Sequence, residues 1–359
     1  MKAGWQSKPF EDCIEKVTYT TKIQRKDFLD AGAFPVVSQE DAFINGYWDG
    51  ADDVFRVETP LLIFGDHTKA LKYIDFDFVL GADGVKLLPP KEFLVPKFYY
   101  YQLHTAQIDS LGYARHYKLL KDLEIKYPDR AEQHRIVAIL DEAFDGIATA
   151  KANAEKSLQN ARALFESHLQ SVFTERGEGW VVTTLDNIST NLDSKRIPIP
   201  KSDRKSGEYP YYGASGIVDY VADYIFDGDA LLISEDGAIL LARSTPIAFS
   251  VSGRYWVNNH AHIIKFDDKA TQRFVEFYLA SIRLDEYITG AAQPKLNQKA
   301  LNSIPIPIPE AVAKQAEIVG NIEALQDETQ HMESLYQQKL TALDDLKKSL
   351  LHQVFSGAI

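Results

Sequence analysis

The chain repeats part of itself, and this repeat constrains the fold more than any other feature of the sequence. The pair Val-Phe at 172–173 recurs at 354–355, an offset of 182 residues (355 − 173). The same offset aligns Gln133 with Gln315, without a gap between the two points. Chance supplies one matching dipeptide readily, but not a run of apolar positions in constant register. A repeat present twice predicts a duplicated module rather than a solenoid.

Shorter similarities extend the repeat towards the N-terminus. The stretch "GAFPVVS" at 32–38 resembles "GEYPYYG" at 207–213, and "TPLLIFGD" at 59–66 resembles "DALLISEDG" at 229–237. Gly-punctuated, Tyr-rich strands and short helices predict an α+β fold for each half. We therefore predict two globular domains, each followed by one long helix, with the boundaries 1–129 (domain), 130–177 (helix), 178–311 (domain) and 312–359 (helix).

Composition limits the classes of protein that fit. A length of 359 residues suits two domains plus extended elements, and 45% hydrophobic residues can fill two cores. The single cysteine, Cys13, argues against a disulfide framework, and neither a signal peptide nor a run of 18 apolar residues is seen. We expect a soluble, cytoplasmic protein that is not in the membrane. The net charge of −12 means that any DNA-binding face must be a local basic patch.

Apolar residues in both long helices recur at steps of three and four, the spacing of a coiled-coil seam. A helix of this length spans roughly 65 Å at 1.5 Å per residue. The apolar stripe of each helix, which also includes Leu164 in the first helix and Leu346 in the second, would be exposed to water if that helix were unpaired. A domain fits between the helices, so we predict that they pair antiparallel, or else pack against a second chain; two unrelated amphipathic helices on their own domains are the alternative. The predicted seam residues are Ile136, Leu140, Ile147, Leu158, Ile318, Ile322, Leu325, Leu340 and Leu343.

Both halves carry a basic cluster shortly before the "FP" or "YP" strand. Lysine and arginine neutralise phosphate charge and fix the register of a protein on DNA, which is the functional interpretation. A solvated surface loop is the alternative. The candidate phosphate contacts are Lys22, Arg25 and Lys26 in the first half, and Lys195, Arg196, Lys201, Arg204 and Lys205 in the second.

A polar segment late in each half supplies candidates for reading bases. Asn and Gln side chains pair with adenine, and Lys and Arg pair with guanine. The segment "GAAQPKLNQKAL" at 290–301 and its counterpart "LGYARHYKLL" at 111–120 contain such residues, although ordinary turn chemistry is equally compatible. The candidates are Gln293, Lys295, Asn297, Arg115 and Lys118, together with Tyr212.

Catalytic motifs are largely missing from the sequence. It contains neither the P-loop pattern Gly-x4-Gly-Lys-Ser/Thr nor Gly-x-Gly-x-x-Gly. His260 and His262 alternate along a predicted strand and could share a metal, but third and fourth ligands are not evident. Glu124 and Lys126 have a spacing found in some nuclease sites, but their apolar flanks favour a structural strand. We predict no catalytic or metal-binding residues.

The sequence resembles one known family, the specificity subunit of Type I restriction-modification systems. The resemblance rests on "RAEQHRIVAILD" opening the first long helix, "LQSVF" closing it, and the string "YPYYGASGIVDYV…LLISEDGA…NNHAHII…GAAQPKLNQKALNSIPIPIP". It covers nearly the whole chain. Two departures stand out: "GYARHY" replaces the polar "GAAQPKLN" in the more diverged first domain, and the second helix opens "AVAKQAEIV" without the usual acidic-Gln pair.

The resemblance implies a non-catalytic subunit with two target-recognition domains, each reading half of a bipartite double-stranded DNA site. It implies that the helices set the spacing of the half-sites and dock two methylation subunits, with restriction/motor subunits completing the assembly. S-adenosylmethionine, ATP and Mg would belong to those partners, and no cofactor to this chain. Because the two domains share little sequence, we predict an asymmetric target.

Two other classes of function remain open from the sequence. A coiled-coil scaffold joining two protein-binding domains would lack salt-dependent affinity for DNA. A self-sufficient nuclease with an unrecognised carboxylate site would cleave DNA alone in the presence of a divalent metal.

Overall fold

The computed structural model describes residues 4–82, 84–106, 108–109, 112, 114–243, 245–290 and 293–356. The chain forms two compact units: unit 1 comprises Met1–Glu155 with Gln337–Ile359, and unit 2 comprises Lys156–Tyr336. Among the described residues, no helix is long and apolar enough to cross a membrane.

Unit 1 contains the first globular domain. Its strands are β1 (Gln6–Pro9), β2 (Lys22–Ile23), β3 (Phe34–Val37), β4 (Gly46–Trp48), β5 (Val54–Phe55), β6 (Leu61–Gly65), β7 (Leu71–Ile74), β8 (Phe78–Gly81), β9 (Val85–Leu88) and β10 (Glu124–Tyr127). Its short helices are α1 (Pro96–His104) and α2 (Tyr117–Lys121), and the long helix α3 (Arg130–Thr174) begins here and continues into unit 2.

Unit 2 contains the second globular domain. Its strands are β11 (Trp180–Thr183), β12 (Thr190–Asn191), β13 (Ser206–Gly213), β14 (Gly216–Val221), β15 (Phe226–Asp227), β16 (Ala230–Ser234), β17 (Ala248–Val251), β18 (Arg254–Val257), β19 (Ala261–Lys265) and β20 (Ile306–Pro309). Its helices are α4 (Leu185–Ile188), α5 (Gly237–Ala242), α6 (Lys269–Ser281) and α7 (Gln298–Asn302), and the long helix α8 (Val312–Ser356) begins here.

The two domains share a core topology, which confirms the α+β internal repeat. Strand β5 pairs with β8 as β15 pairs with β18, whereas the edge strands β2 and β12 extend different sheets. Unit 1 has sheets of order β2-β8-β3-β4 and β7-β6-β9, and unit 2 has sheets of order β14-β13-β18-β15 and β12-β19-β16-β17. In each first sheet the central pair is parallel, β3 with β8 and β13 with β18. In each second sheet the central strand, β6 or β16, pairs antiparallel on both sides.

The central strands β6 and β16 are buried on both faces, which explains their continuous apolar sequences. Leu62 and Phe64 pack in the cluster that contains α1, while alternate residues of β6 pack against the other sheet. Leu231 and Ile233 likewise share a cluster with α6. The two Leu-Leu-Ile stretches therefore match in sequence, but their structurally equivalent positions are shifted by one residue. Gly65, the last residue of β6, is equivalent to Ser234 in β16.

Two buried glutamines explain why the repeat includes Gln133 and Gln315. Gln133 is fully buried, and its amide donates 2.9 Å hydrogen bonds to the carbonyls of Phe93 and Pro128. The Gln315 amide donates to the carbonyl of Pro309 at 2.7 Å. Each glutamine therefore ties the first turn of a long helix to the strand before it and satisfies backbone groups that burial would otherwise leave unpaired.

The two long helices pair in opposite directions within each unit. In unit 1, Ile136 and Leu140 share a core with Leu351, and Lys151 is bonded to Asp344. The residue number falls along α8 as it rises along α3, which is the antiparallel arrangement.

In unit 2, Leu169 and Phe173 share a core with Val319 and Ile322, in the same sense. Of the predicted seam, Ile136, Leu140, Ile147 and Ile322 are buried, and Leu158, Ile318, Leu325, Leu340 and Leu343 are half-buried. The supercoil itself stays a prediction.

The seam prediction was wrong at two positions, where Leu164 is 62% exposed and Leu346 is 46% exposed. Small residues of the predicted stripe are buried as expected: Ala154 is 1% exposed and Ala161 is 4% exposed. Alanine at these points lets a neighbouring helix approach closely, and the long leucines fall on the outer side.

A buried lysine fixes one loop of unit 1. The Lys72 ammonium, 4% exposed, donates to the carbonyl of Ser38 at 3.0 Å, to the carbonyl of Ala42, and to the side-chain oxygen of Asn45 at 3.2 Å. These acceptors are neutral, so burial lowers the pKa of Lys72 to about 8, against the opposing influence of Glu40 and Asp41. The lysine holds together the loop between β3 and β4.

Candidate nucleic-acid interface

An acidic residue follows the central strand of unit 2 and connects two loops that are distant in sequence. Glu235, directly after β16, accepts hydrogen bonds from Arg196 at 3.1 Å and from Lys295 at 3.3 Å. Its backbone carbonyl accepts the N–H of Leu296 at 3.0 Å. Glu235 and Arg196 are only 17% and 15% exposed, so water competes weakly for these bonds. The basic segment and the polar segment predicted from sequence therefore meet at this strand end.

Asp193 adds a second buried acid to this network. It accepts from His262 Nδ1 at 2.6 Å and from the backbone N–H of Ile263 at 2.9 Å, and Arg196 lies 3.6 Å away. Burial raises the pKa of Asp193, but the hydrogen bond and charge of His262, with Ile263 and Arg196, outweigh it and hold the pKa below its ordinary value.

His262 has a structural role rather than a ligand's role. It is 2% exposed, and its Nε2 donates to the carbonyl of Leu296 at 2.7 Å. The Asp193 carboxylate and the Leu296 carbonyl thus occupy both ring nitrogens, which leaves neither of them for a metal ion. His260 is instead half exposed and bonded to Asp236. Within the ranges that the structure describes, no cluster of His, Cys, Asp and Glu could hold a metal ion.

Unit 1 contains the same arrangement around Asp66. The Asp66 N–H donates to the carbonyl of Gly84, and its carbonyl accepts from His116, both at 2.7 Å. In unit 2, Glu235 makes the equivalent backbone bonds with His260 and Leu296. The Asp66 carboxylate, nearly buried, accepts the N–H of Tyr117 at 2.8 Å. His116 of the first polar segment and Leu296 of the second are thus held in the same way, each by the acid that follows the central strand.

The predicted phosphate contacts of unit 2 separate into two groups. Lys195 is exposed beside the strand-end network, whereas Lys201 and Lys205 are exposed near the start of β13. Arg196 and Arg204 are largely buried; Arg204 pairs with Asp219 at 3.2 Å and packs on the ring of Tyr211. These two arginines hold the loop in place, and we leave them out of the proposed DNA contacts.

The basic residues of unit 1 lie together. Lys22 belongs to β2, and Arg25 and Lys26 form the turn after it; all three are exposed. The Lys22 ammonium lies over the ring of Tyr19, and Arg25 is bonded to Glu40. Exposed pairs of this kind rearrange at little cost in free energy.

The predicted base-reading residues also have different surroundings. Arg115, Lys118 and Gln293 are exposed, and only these three side chains stay in the proposal for base contact. Ala291 and Ala292, which precede Gln293, lie outside the described residues.

The other three candidates are engaged in the fold. Tyr212 is half-buried against Phe249 and Tyr255, and burial raises its pKa. The Asn297 side chain caps α7 by accepting the N–H of Ala300 at 3.0 Å. Lys295 bridges to Glu235.

Sequence reasoning missed the acids that organise this surface. Asp66, Asp193 and Glu235 were not singled out, although "GD" and "ED" stand at the end of both predicted central strands. The signal was an acid at the same place in two repeats. This signal was obscured because aligning the two Leu-Leu-Ile stretches by sequence identity places Asp66 opposite Asp236 rather than opposite Glu235.

Comparison with known proteins agrees with this architecture. A family model described as Type I restriction modification DNA specificity domain matches residues 2–159 and again residues 177–341. A putative type I restriction enzyme specificity subunit of Haemophilus influenzae is 36% identical over 168 residues, which is 47% of this chain and 41% of that protein. The alignment therefore spans less than half of the curated relative's length.

Two solved structures share the fold at low sequence identity. One comes from a study of complex assembly and conformational transition of the type I R-M system, with a TM-score of 0.76, 14% identity and 98% of both chains covered. The other is the HsdS subunit of Thermoanaerobacter tengcongensis, with a TM-score of 0.58, 15% identity, and 100% of this chain and 98% of that chain covered. With two matched domains over most of its length, this chain belongs to the family of Type I restriction-modification DNA specificity proteins.

Proposed function

We propose that this chain is the non-catalytic subunit that reads DNA for a Type I restriction-modification assembly, with each domain recognising one half of a bipartite site. The observation that carries this proposal is the duplicated specificity domain, in which the same acid-held polar segment occurs at the same strand end in both units. The candidate base-reading side chains kept on these segments differ, with Arg115 and Lys118 in unit 1 and Gln293 in unit 2. Different chemistry at equivalent places favours two different half-sites, and hence an asymmetric target.

Exposed lysines would anchor the phosphates. Lys26 and Lys195 lie on the predicted basic segments of units 1 and 2, and their ammonium groups face solvent. Lys22, Arg25, Lys201 and Lys205 would add contacts further along the duplex. The overall charge of −12 makes such local anchoring necessary, since the chain as a whole repels DNA.

The long helices would fix the spacing of the half-sites and dock partner subunits. Leu164 on α3 and Leu346 on α8 are exposed large apolar side chains at equivalent positions of the repeat. Two equivalent apolar contacts suit two copies of one partner, and we assign them to two methylation subunits. Restriction/motor subunits would complete the assembly.

The chemistry would belong to those partners. S-adenosylmethionine would bind to the methylation subunits, and ATP with Mg to the motor subunits. This chain would contribute the target site and the geometry. We place the assembly in the cytoplasm, where both its DNA substrate and its partners would be found.

Salt dependence of DNA binding tests the phosphate contacts. The chain, co-expressed with its methylation subunit, is assayed on duplex DNA over a range of salt concentrations. Lys26→Ala and Lys195→Ala should each weaken binding to all sequences and reduce the salt slope by about 1, because one fewer counterion is released. Lys339→Ala, which removes an exposed lysine on α8, is the matched control. The proposal would be contradicted if the salt slopes of Lys26→Ala and Lys195→Ala equalled that of the unmodified protein, or if Lys339→Ala lost as much DNA affinity as they do.

A further inference from the structure

An ion pair joins the two long helices within each unit. In unit 1, Lys151 on α3 lies 2.8 Å from Asp344 on α8, and in unit 2, Arg162 on α3 lies 2.7 Å from Glu333 on α8. The hydrogen bond from Lys151 lowers the pKa of Asp344, and the hydrogen bond to Glu333 raises the pKa of Arg162. In both units the basic partner is on α3 and the acidic partner is on α8.

These four positions are related by the internal repeat. The repeat offset carries 151 to 333 (333 − 151 = 182) and 162 to 344 (344 − 162 = 182). Each pair of equivalent positions therefore carries opposite charges: Lys151 corresponds to Glu333, and Arg162 corresponds to Asp344. The apolar positions of the helices agree between the repeats, but these charged positions are reversed.

This reversal matters because helices that share one apolar pattern can also pair with themselves. If α3 paired antiparallel with α3 of a second copy in the same register, Lys151 would face Arg162 of that copy. If α8 paired with α8, Glu333 would face Asp344. Either pairing sets like charges opposite each other at two places. The pairing of α3 with α8 sets opposite charges together at both.

We infer that the reversed charges at these four positions direct α3 to pair with α8 and oppose pairing between like helices of two copies. Charged residues flanking an apolar seam are a known means of choosing helix partners, and repulsion in the unwanted pairing contributes as much as attraction in the wanted one. A single exposed ion pair is weak. The choice, however, depends on the difference between two attractions and two repulsions, and salt screens both.

This inference goes beyond the proposed function and does not rest on it. Its consequence for a specificity subunit is nevertheless direct. Pairing of like helices would join two identical recognition domains, whereas pairing of α3 with α8 keeps two different domains together in one chain.

An exchange of charges within one ion pair tests the inference. Arg162→Glu combined with Glu333→Arg keeps both attractions inside the chain. Lys151 would now face an acidic residue at position 162 of a second copy, and Asp344 a basic residue at position 333. Pairing of like helices thus becomes attractive. The mirror exchange, Lys151→Asp with Asp344→Lys, should act in the same way and guards against a folding defect peculiar to one site.

Exchange of both ion pairs together is the matched control. It makes α3 acidic and α8 basic at both places, so that the attractions inside the chain are kept and repulsion between like helices returns. It contains every substitution of the two single exchanges, so an effect of the substitutions themselves would persist in it, whereas an effect of the charge pattern would not.

The readout is capture of a second copy of the full chain. Chains with two different affinity tags are mixed in denaturant, refolded together at low salt, and captured through one tag. Each single exchange should increase the captured second copy roughly tenfold or more, and the increase should fall at 1 M salt. Circular dichroism establishes that helix content is equal in all the variants. Single exchanges that capture no more than the unmodified chain would overturn the inference, and so would a double exchange that captures as much as they do.

Discussion

Glu235→Gln is the most informative single substitution, because Glu235 joins the two segments of the proposed DNA interface. The amide keeps nearly the same volume but loses the charge that holds Arg196 and Lys295. A charge-assisted hydrogen bond in a buried setting contributes about 1.5–3 kcal/mol, and an exposed pair about 0–1 kcal/mol. The bond to Arg196 belongs to the first class, since both side chains are under a fifth exposed, whereas Lys295 is 37% exposed and adds little.

We therefore expect Glu235→Gln to lower the free energy of unfolding of unit 2 by about 2 kcal/mol. In a unit of this size, 1 kcal/mol shifts the melting temperature by about 2–4 °C, which gives a drop of roughly 4–8 °C in calorimetry. Binding to DNA should weaken about tenfold, because DNA must then supply the free energy that orders both segments.

Glu178→Gln is the control, since Glu178 is exposed between α3 and β11 and its loss removes the same charge. Its effect on stability should stay within about 0.5 kcal/mol. A melting temperature and a DNA affinity of Glu235→Gln equal to those of the unmodified protein would contradict this role of Glu235. So would an equal weakening of both variants.

Three further substitutions test neighbouring parts of the account. Gly237→Ala should destabilise unit 2 by about 1–3 kcal/mol, because the new Cβ would lie 2.5 Å from both the Cβ and the carbonyl oxygen of Pro294; an unchanged melting temperature would contradict this. Asp193 has a lowered pKa, so its contribution to stability is complete above the ordinary Asp pKa of about 4 and is lost as the pH falls through the lower folded-state value; the difference in urea stability between the unmodified protein and Asp193→Asn should shrink progressively below about pH 4, and a constant difference would count against it. The pKa of Lys72 is lowered to about 8, so between about pH 8 and pH 10.5 the unfolded chain keeps a proton on this lysine that the folded chain has lost. The free energy of unfolding of unit 1 should therefore rise by up to roughly 3 kcal/mol as the pH increases over that range. Lys72→Met should lack this rise.

The long helices and the repeat could be predicted because their signal is periodic and long. A seam sustained over 45 residues, tied at its start by Gln133 or Gln315, leaves little freedom in the fold. The period does not state which of two adjacent apolar residues faces inward. This is why Leu164 was assigned to the seam, although the adjacent Phe165 is the residue that packs against the core of unit 2.

The central strands were located correctly but aligned to each other with a shift of one residue. Identical letters in β6 and β16 suggested one register, whereas the cores place Leu62 in the role of Leu231. A strand that is buried on both faces carries apolar residues at every position, so its sequence does not indicate which residue faces the helix.

The basic and polar segments were found, but the role of each side chain was not. Arg196 and Glu235 are bonded although they are far apart in sequence, and no local pattern reveals such a partner. Asn297 caps a helix that begins one residue later, and Tyr212 packs in the core of its sheet. Residue type indicated which side chains suit DNA, but burial and hydrogen bonds within the fold, which no local pattern shows, decided which of them we keep in the proposal.

Selection of bound sequences from a random duplex pool, with the chain co-expressed with its methylation subunit, tests whether each domain reads one half of a bipartite site. We expect two short and different motifs at one fixed spacing, each read by one of the two domains. Recovery of a palindromic pair, of a single motif, or of no enriched sequence at low salt from a well-folded complex would contradict this expectation.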